Sequence, residues 1–91
     1  MSHHPFAVTL AVIVCADERF LMVEEWQQGR VMFNQPAGHL EANEAILAGA
    51  QRELLEETGL DIAIQEGVAI YQFTAPDTGK HMVRFTFCAE L

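Results

Sequence analysis

Basic residues are scarce in this chain: 5 Lys+Arg stand against 13 Asp+Glu, a formal net charge of −8 at pH 7. Such a balance repels phosphate backbones and anionic bilayers, so binding to nucleic acid polymers or membrane surfaces is excluded as a general role. Long apolar runs are missing too. Nothing approaches the roughly 18 apolar residues that span a bilayer, and Met1-Ser2-His3-His4-Pro5 lacks the basic region of a secretory signal, which points to a cytoplasmic protein. The pair His3 and His4 is expected to be solvated. Cysteine is limited to Cys15 and Cys88, set in apolar stretches without CxxC or Cys/His spacing. They are expected to be small buried hydrophobes in a reducing compartment, not a disulfide or a zinc site. Glycine and proline are few, at 6 and 3, and 51% of the 91 residues are hydrophobic, so the chain is neither disordered nor collagen-like. Its length admits one domain, residues 1–91, around one core.

What is present has a clear order. Residues 6–16, FAVTLAVIVCA, are apolar and rich in β-branched side chains, the pattern of a strand buried on both faces. After the polar break Asp17-Glu18, residues 19–25 resume as a second strand, giving an expected hairpin. Gln27-Gln28-Gly29-Arg30 reads as a turn, Val31-Met32-Phe33 as a short strand, and Asn34-Gln35-Pro36-Ala37-Gly38 as irregular. From Asn43 to Thr58 the spacing predicts a helix, with Ile46, Leu47, Ala50 and Leu54 on one side, Asn43 as N-cap, Glu44 at the positive end of the dipole, and Gly59 as C-cap. Residues 60–75 read as extended with an interruption near Glu66-Gly67, Pro76-Asp77-Thr78-Gly79 as a turn, and residues 81–91 as a final strand.

The acidic residues of the helix carry the chemistry. At 100° per residue, Glu53, Glu56 and Glu57 share an arc of about 100°, with Gly49 in the same arc one turn earlier. Like charges at this spacing cost a helix about 0.2–0.5 kcal/mol per pair. A solvated acidic face is the common outcome of such a pattern; a hard divalent cation such as Mg²⁺, which prefers carboxylate oxygen, would offset the repulsion. The arc adjoins the apolar stripe at Ile46 and Ala50, so it leans toward the core.

These carboxylates belong to a longer pattern: Gly38, five residues, Glu44, seven residues, then Arg52-Glu53-Leu54-Leu55-Glu56-Glu57-Thr58-Gly59-Leu60. It resembles the signature of the Nudix hydrolases, Gx5Ex7REUxEExGU with U a bulky aliphatic residue, at every specified position. Phe33-Asn34-Gln35-Pro36-Ala37-Gly38 is similar to the family's aromatic-x-x-Pro-x-Gly approach. The string from Phe33 to Glu41, with Val23-Glu24-Glu25 before it and Thr74-Ala75-Pro76-Asp77 after it, looks most like a bacterial phosphatase branch of that family.

The resemblance implies an α/β fold, an α/β/α sandwich on a mixed β-sheet, and hydrolysis of P–O–P bonds. The implied substrates are nucleoside tri- and diphosphates or a related pyrophosphate such as that of the thiamine pyrimidine precursor. It implies that Glu53, Glu56 and Glu57 coordinate Mg²⁺ or Mn²⁺, with the backbone carbonyl of Ala37 or Gly38 a further ligand. Glu53 or Glu56 would instead activate the attacking water, Arg52 would hold a box carboxylate in place, and Glu44 would tie the loop to the helix. Arg84, His39 and Trp26 are candidates for substrate contact. Arg84 suits a phosphate as well as a salt bridge, while Trp26, Phe33 and Phe73 are aromatics at strand positions, where core packing is commoner than base stacking.

Family domains are longer than this chain, so a fragment lacking the C-terminal helix is expected. A face with Val83, Phe85 and Phe87 would then be exposed and would favour a homodimer through the sheet surface. The alternative to an enzyme is a truncated module that binds metal and nucleotide without turnover.

Overall fold

The computed structural model describes residues 6–76 and 78–91; His3 and His4, and Asp77 of the expected turn, lie outside them. The elements in chain order are β1 (Phe6–Ala16), β2 (Arg19–Phe20), β3 (Val23–Gln27), β4 (Arg30–Asn34), β5 (Ala37–His39), α1 (Ile46–Thr58), β6 (Ile64–Thr74) and β7 (His81–Glu90). β1 is central to a five-stranded mixed sheet. It runs parallel to β7 along its whole length and antiparallel to β2 and β5 on its other edge, while β6 closes the far side against β7. β3 and β4 form a separate two-stranded hairpin.

The apolar run of β1 is satisfied by alternation. Leu10, Val12 and Val14 point toward α1 and form one fully buried cluster with Ala50, Leu54 and Ala89. Each large aliphatic side chain removed from water in this way contributes about 1.5–3 kcal/mol. Thr9, Ala11 and Ile13 face the opposite side.

Several expectations change. The second strand does not run unbroken from Arg19 to Glu25: β2 holds two residues against Cys15 and Ala16, and β3 departs to pair with β4. The edge it would have followed is already taken, because β5 pairs with Thr9–Ala11 and the Val12 N–H donates to the Pro36 carbonyl. The segment expected to be irregular thus contains β5. Cys15 and Cys88 are half-buried, not deep in the core.

The helix starts at Ile46, not near Asn43; Ala45 is the N-cap without a side-chain cap bond, and Asn43 adopts φ 62°. Its apolar stripe is also displaced, since Ala50 and Leu54 are sealed while Leu47 is 52% exposed. Gly59 ends the helix in the left-handed region as expected, its N–H donating to the Leu55 carbonyl.

Phe85 and Phe87 are not bare. In register with Leu10 and Val12, they share the α1 face and pack against the buried cluster, and Val83 is half-buried. The exposed apolar side chains of the sheet are instead Ile70, Tyr71 and Phe73 of β6, with Phe6 of β1 and Phe20 of β2. No helix among the described residues is long and apolar enough to cross a membrane.

Candidate active site

Pairing of β5 with β1 fixes the residues 37–39 beneath the helix, and the helix delivers its carboxylates onto them. Gly38 is required by this approach: a Cβ there would overlap the Glu53 carboxyl group. Gly49 fulfils the same need one turn earlier, where a Cβ would meet Leu10 Cδ1 at 2.6 Å and Glu44 Oε1 at 2.8 Å.

Arg52 organises the acidic groups. Its Nε and Nη2 donate to the two oxygens of Glu44 at 2.6 and 2.9 Å, a bidentate pair. Nη1 donates to Glu53 Oε1 at 2.7 Å and Glu56 Oε2 at 3.2 Å, and lies 3.5 Å from Glu41 Oε1. Nη2 also reaches the His39 carbonyl at 3.0 Å, which ties helix to β5. Glu44 precedes the Ala45 N-cap, and its carboxylate lies against the first turn at Gly49; it also accepts the Glu41 N–H at 3.0 Å. The hydrogen bonds from Arg52 and from the Glu41 backbone hold the Glu44 carboxyl down at about 2, and the hydrogen bonds to Glu44 and Glu53 raise Arg52 above its ordinary value.

Glu57 behaves in the opposite way. Burial raises its pKa, the Ala37 backbone N–H opposes that rise, and the charges of Glu53, Glu25 and Glu56 add to it. Glu25 was not singled out as a site residue from the sequence. It comes from β3, with Gln27 Nε2 and Asn34 Nδ2 donating to its Oε2 at 2.9 and 3.3 Å. No local spacing links Glu25 to Glu57; only the fold of the β3–β4 hairpin brings it there.

Beside these groups opens a cavity of about 490 Å³ whose lining includes Glu25, Asn34, Ala37, Gly38, His39 and Arg84. Two of the three candidate substrate residues, His39 and Arg84, are thus in it. Trp26 is not: it is 73% exposed on the hairpin and does not line the cavity. The expectation that Trp26, Phe33 and Phe73 are core is also corrected, since Phe33 is 64% and Phe73 40% exposed. Trp26 and Phe33 stand on a two-stranded hairpin with no second layer to cover them, and Phe73 on β6, the edge strand of the main sheet.

Among the described residues, no three metal-ligating side chains gather around one point. The chemistry nonetheless fits: Glu53 and Glu56 each direct an oxygen to the same nitrogen of Arg52, and Glu57 bears like-charge repulsion that an added cation would relieve.

A mixed sheet carrying an acidic helix, with an arginine locking its carboxylates over a glycine of the neighbouring strand, defines a Nudix-type fold and site. Residues 5–91 match the NUDIX domain, and the chain belongs to that family. It is 46% identical over 84 residues to Phosphatase NudJ of Escherichia coli K12, covering 92% of this chain and 54% of that protein. The chain spans about half the length of the curated relatives it matches. Among solved structures, a NUDIX hydrolase from Nitrosomonas europaea superposes with a TM-score of 0.86 at 40% identity, over 92% of this chain and 57% of the other. A MutT protein from Methanosarcina mazei Go1 shares the fold with a TM-score of 0.85 at 18% identity, over 100% of this chain and 68% of that one.

Proposed function

We propose that this chain is the part of a cytoplasmic, metal-dependent hydrolase that cleaves P–O–P bonds in nucleoside tri- or diphosphates or a related small-molecule pyrophosphate. The observation that supports this most is the Arg52 hub, which holds Glu56 together with Glu53, the latter packed on Gly38, beside a Glu57 whose charge is opposed by burial and by its acidic neighbours. Glu53, Glu56 and Glu57, with the carbonyl of Ala37, would hold Mg²⁺ or Mn²⁺. When bound, the metal supplies Lewis-acid polarisation of phosphoryl oxygens and a more acidic water.

The remaining work falls to the chain itself. Arg52 fixes the carboxylates so that they need no rearrangement as charge develops on phosphorus. Glu53 or Glu56 accepts the proton of the attacking water; of the two, Glu56 is the more open to solvent, with 57% of its side chain exposed against 11% for Glu53. His39 and Arg84 contact the substrate within the cavity, whereas Trp26, away from its lining, carries no such role in this reading. The protein's net charge of −8 requires that cations bridge it to an anionic substrate.

A second reading is a module that binds metal and nucleotide without turnover, favoured by the 54% coverage of the curated relative. Phosphate release from dGTP, GTP, GDP and the pyrimidine pyrophosphate, assayed with Mg²⁺, separates the two. The hydrolase reading predicts metal-dependent release that falls about 10²–10⁴-fold in Glu56→Gln, the size of a lost general base, and is abolished or severely reduced in Glu57→Gln. Nucleotide binding without release supports the module, and equal background in all three proteins removes the catalytic reading.

A further inference from the structure

Of the five cationic side chains, Arg19, Arg30 and Lys80 are exposed and only Arg52 and Arg84 are half-buried. Arg52 is consumed by carboxylates. Arg84 has none. Its Nε donates to Thr9 Oγ1 at 3.0 Å, its Cζ lies 5.9 Å from the centre of the Phe73 ring, and its two terminal nitrogens make no hydrogen bond or ion pair among the described residues. Withdrawing a guanidinium from water without a counter-charge is costly, so a pair of unspent donors in a cavity wall is a place for an anion.

The sheet register explains how this is held. Thr9 is the Cα partner of His39 on one side and of Arg84 on the other, so the three stand in a row across β5, β1 and β7, and all three line the same cavity as Ala37 and Gly38. Thr9 is 4% exposed, and its hydroxyl accepts from Nε, the one nitrogen that does not belong to the outer fork of the guanidinium. Phe73 supports the cation from β6. The side chain is thereby tied at Nε and left with Nη1 and Nη2 for a ligand.

Resting on the P–O–P reading above, we propose that Thr9 is a positioning residue that aims Arg84, and that Arg84 grips a phosphate of the substrate beyond the P–O–P unit that is cleaved at the acidic helix. The pair would then select for phosphate number: a chain of three phosphates gains a contact that a chain of two lacks.

Binding tests this without requiring turnover. Calorimetric titration in Mg²⁺ uses inorganic triphosphate and inorganic pyrophosphate as probes, on the wild-type chain and on Arg84→Gln, Arg84→Lys, Thr9→Val, Thr9→Ser and the double change Thr9→Val/Arg84→Gln. Arg84→Gln is expected to weaken triphosphate about 10- to 100-fold, the size of lost charge-assisted hydrogen bonds, and pyrophosphate by under about 3-fold. Arg84→Lys, which keeps the charge but not the fork, is expected to fall between. Thr9→Val should weaken triphosphate by a smaller factor, Thr9→Ser should restore it, and Thr9→Val should add nothing once Arg84 is Gln. Equal losses for both anions in Arg84→Gln, an undiminished Thr9→Val effect in the double variant, or no binding of either anion by the wild-type chain would overturn the proposal. Triphosphate binding that depends on Arg84, in a chain that releases no phosphate, would remove the hydrolase reading and leave this one standing.

Discussion

On the α1 side of the sheet, Leu10, Val12, Val14, Ala50 and Leu54 are sealed from water, while on the other side Tyr71 is 53% and Phe73 40% exposed and His39, Thr9 and Arg84 stand in a polar row. Each side has one half-buried arginine. Arg52, beside the packed layer, is saturated by Glu44, Glu53 and Glu56; Arg84, on the open layer, holds one hydroxyl and one ring. The contrast separates two tasks. The packed face holds the acidic cluster in place, and the open face carries the cation to which we assign a phosphate of the substrate.

The largest effect that should follow from this contrast is in stability. Leu54→Ala, which empties a fully buried position, is expected to cost about 2–5 kcal/mol, whereas Tyr71→Ala, at an exposed one, should change stability by under about 0.5 kcal/mol. Urea denaturation of both variants measures the difference, and comparable losses would erase the distinction between the faces.

Gly49→Ala should come next. The new Cβ crowds Leu10 and Glu44, and an overpacking cost of about 1–3 kcal/mol is only partly offset by the roughly 1 kcal/mol gained in helix propensity. The expected outcome is a net loss of up to about 2 kcal/mol, and a stabilised Gly49→Ala protein would mean that the loop holding Glu44 gives way freely.

The smallest effect is a pH dependence. In the folded chain Glu44 titrates at about 2 instead of 4.5. A carboxyl whose folded value is depressed contributes stability that is complete above its unfolded value and disappears as pH falls through the folded one, so the Arg52–Glu44 contribution should fade between about pH 4.5 and 2. Acid unfolding followed by circular dichroism should be less steep over that window in Glu44→Gln. An unchanged profile would show that the pair is not formed in solution.

Local periodicity was sufficient for much of this. The buried strand β1, the body of α1 and the Gly59 cap all follow from residues a few positions apart, while the hold of Arg52 on the carboxylates was legible only through the family resemblance. The errors fall where a distant segment decides. Asn43 is not the N-cap: it takes a positive φ of 62°, and the helix begins after Ala45, while Glu44 beside it is held by Arg52 from two turns along the helix. The second strand was cut short because β5 occupies its edge. Glu25 stands only within the string Val23-Glu24-Glu25 of the family resemblance and Thr9 within no such string; they acquire these neighbours only when the hairpin and the β1–β7 ladder form. Trp26 was a fair candidate by type, but the hairpin turns it away from the cavity.

Paramagnetic titration of the folded chain with Mn²⁺, read by electron spin resonance, addresses the acidic site most directly. The account predicts ion binding that is strongly weakened in Glu57→Gln and in Glu53→Gln, and displaced by Mg²⁺. A correctly folded chain that leaves all the manganese free in solution would contradict it.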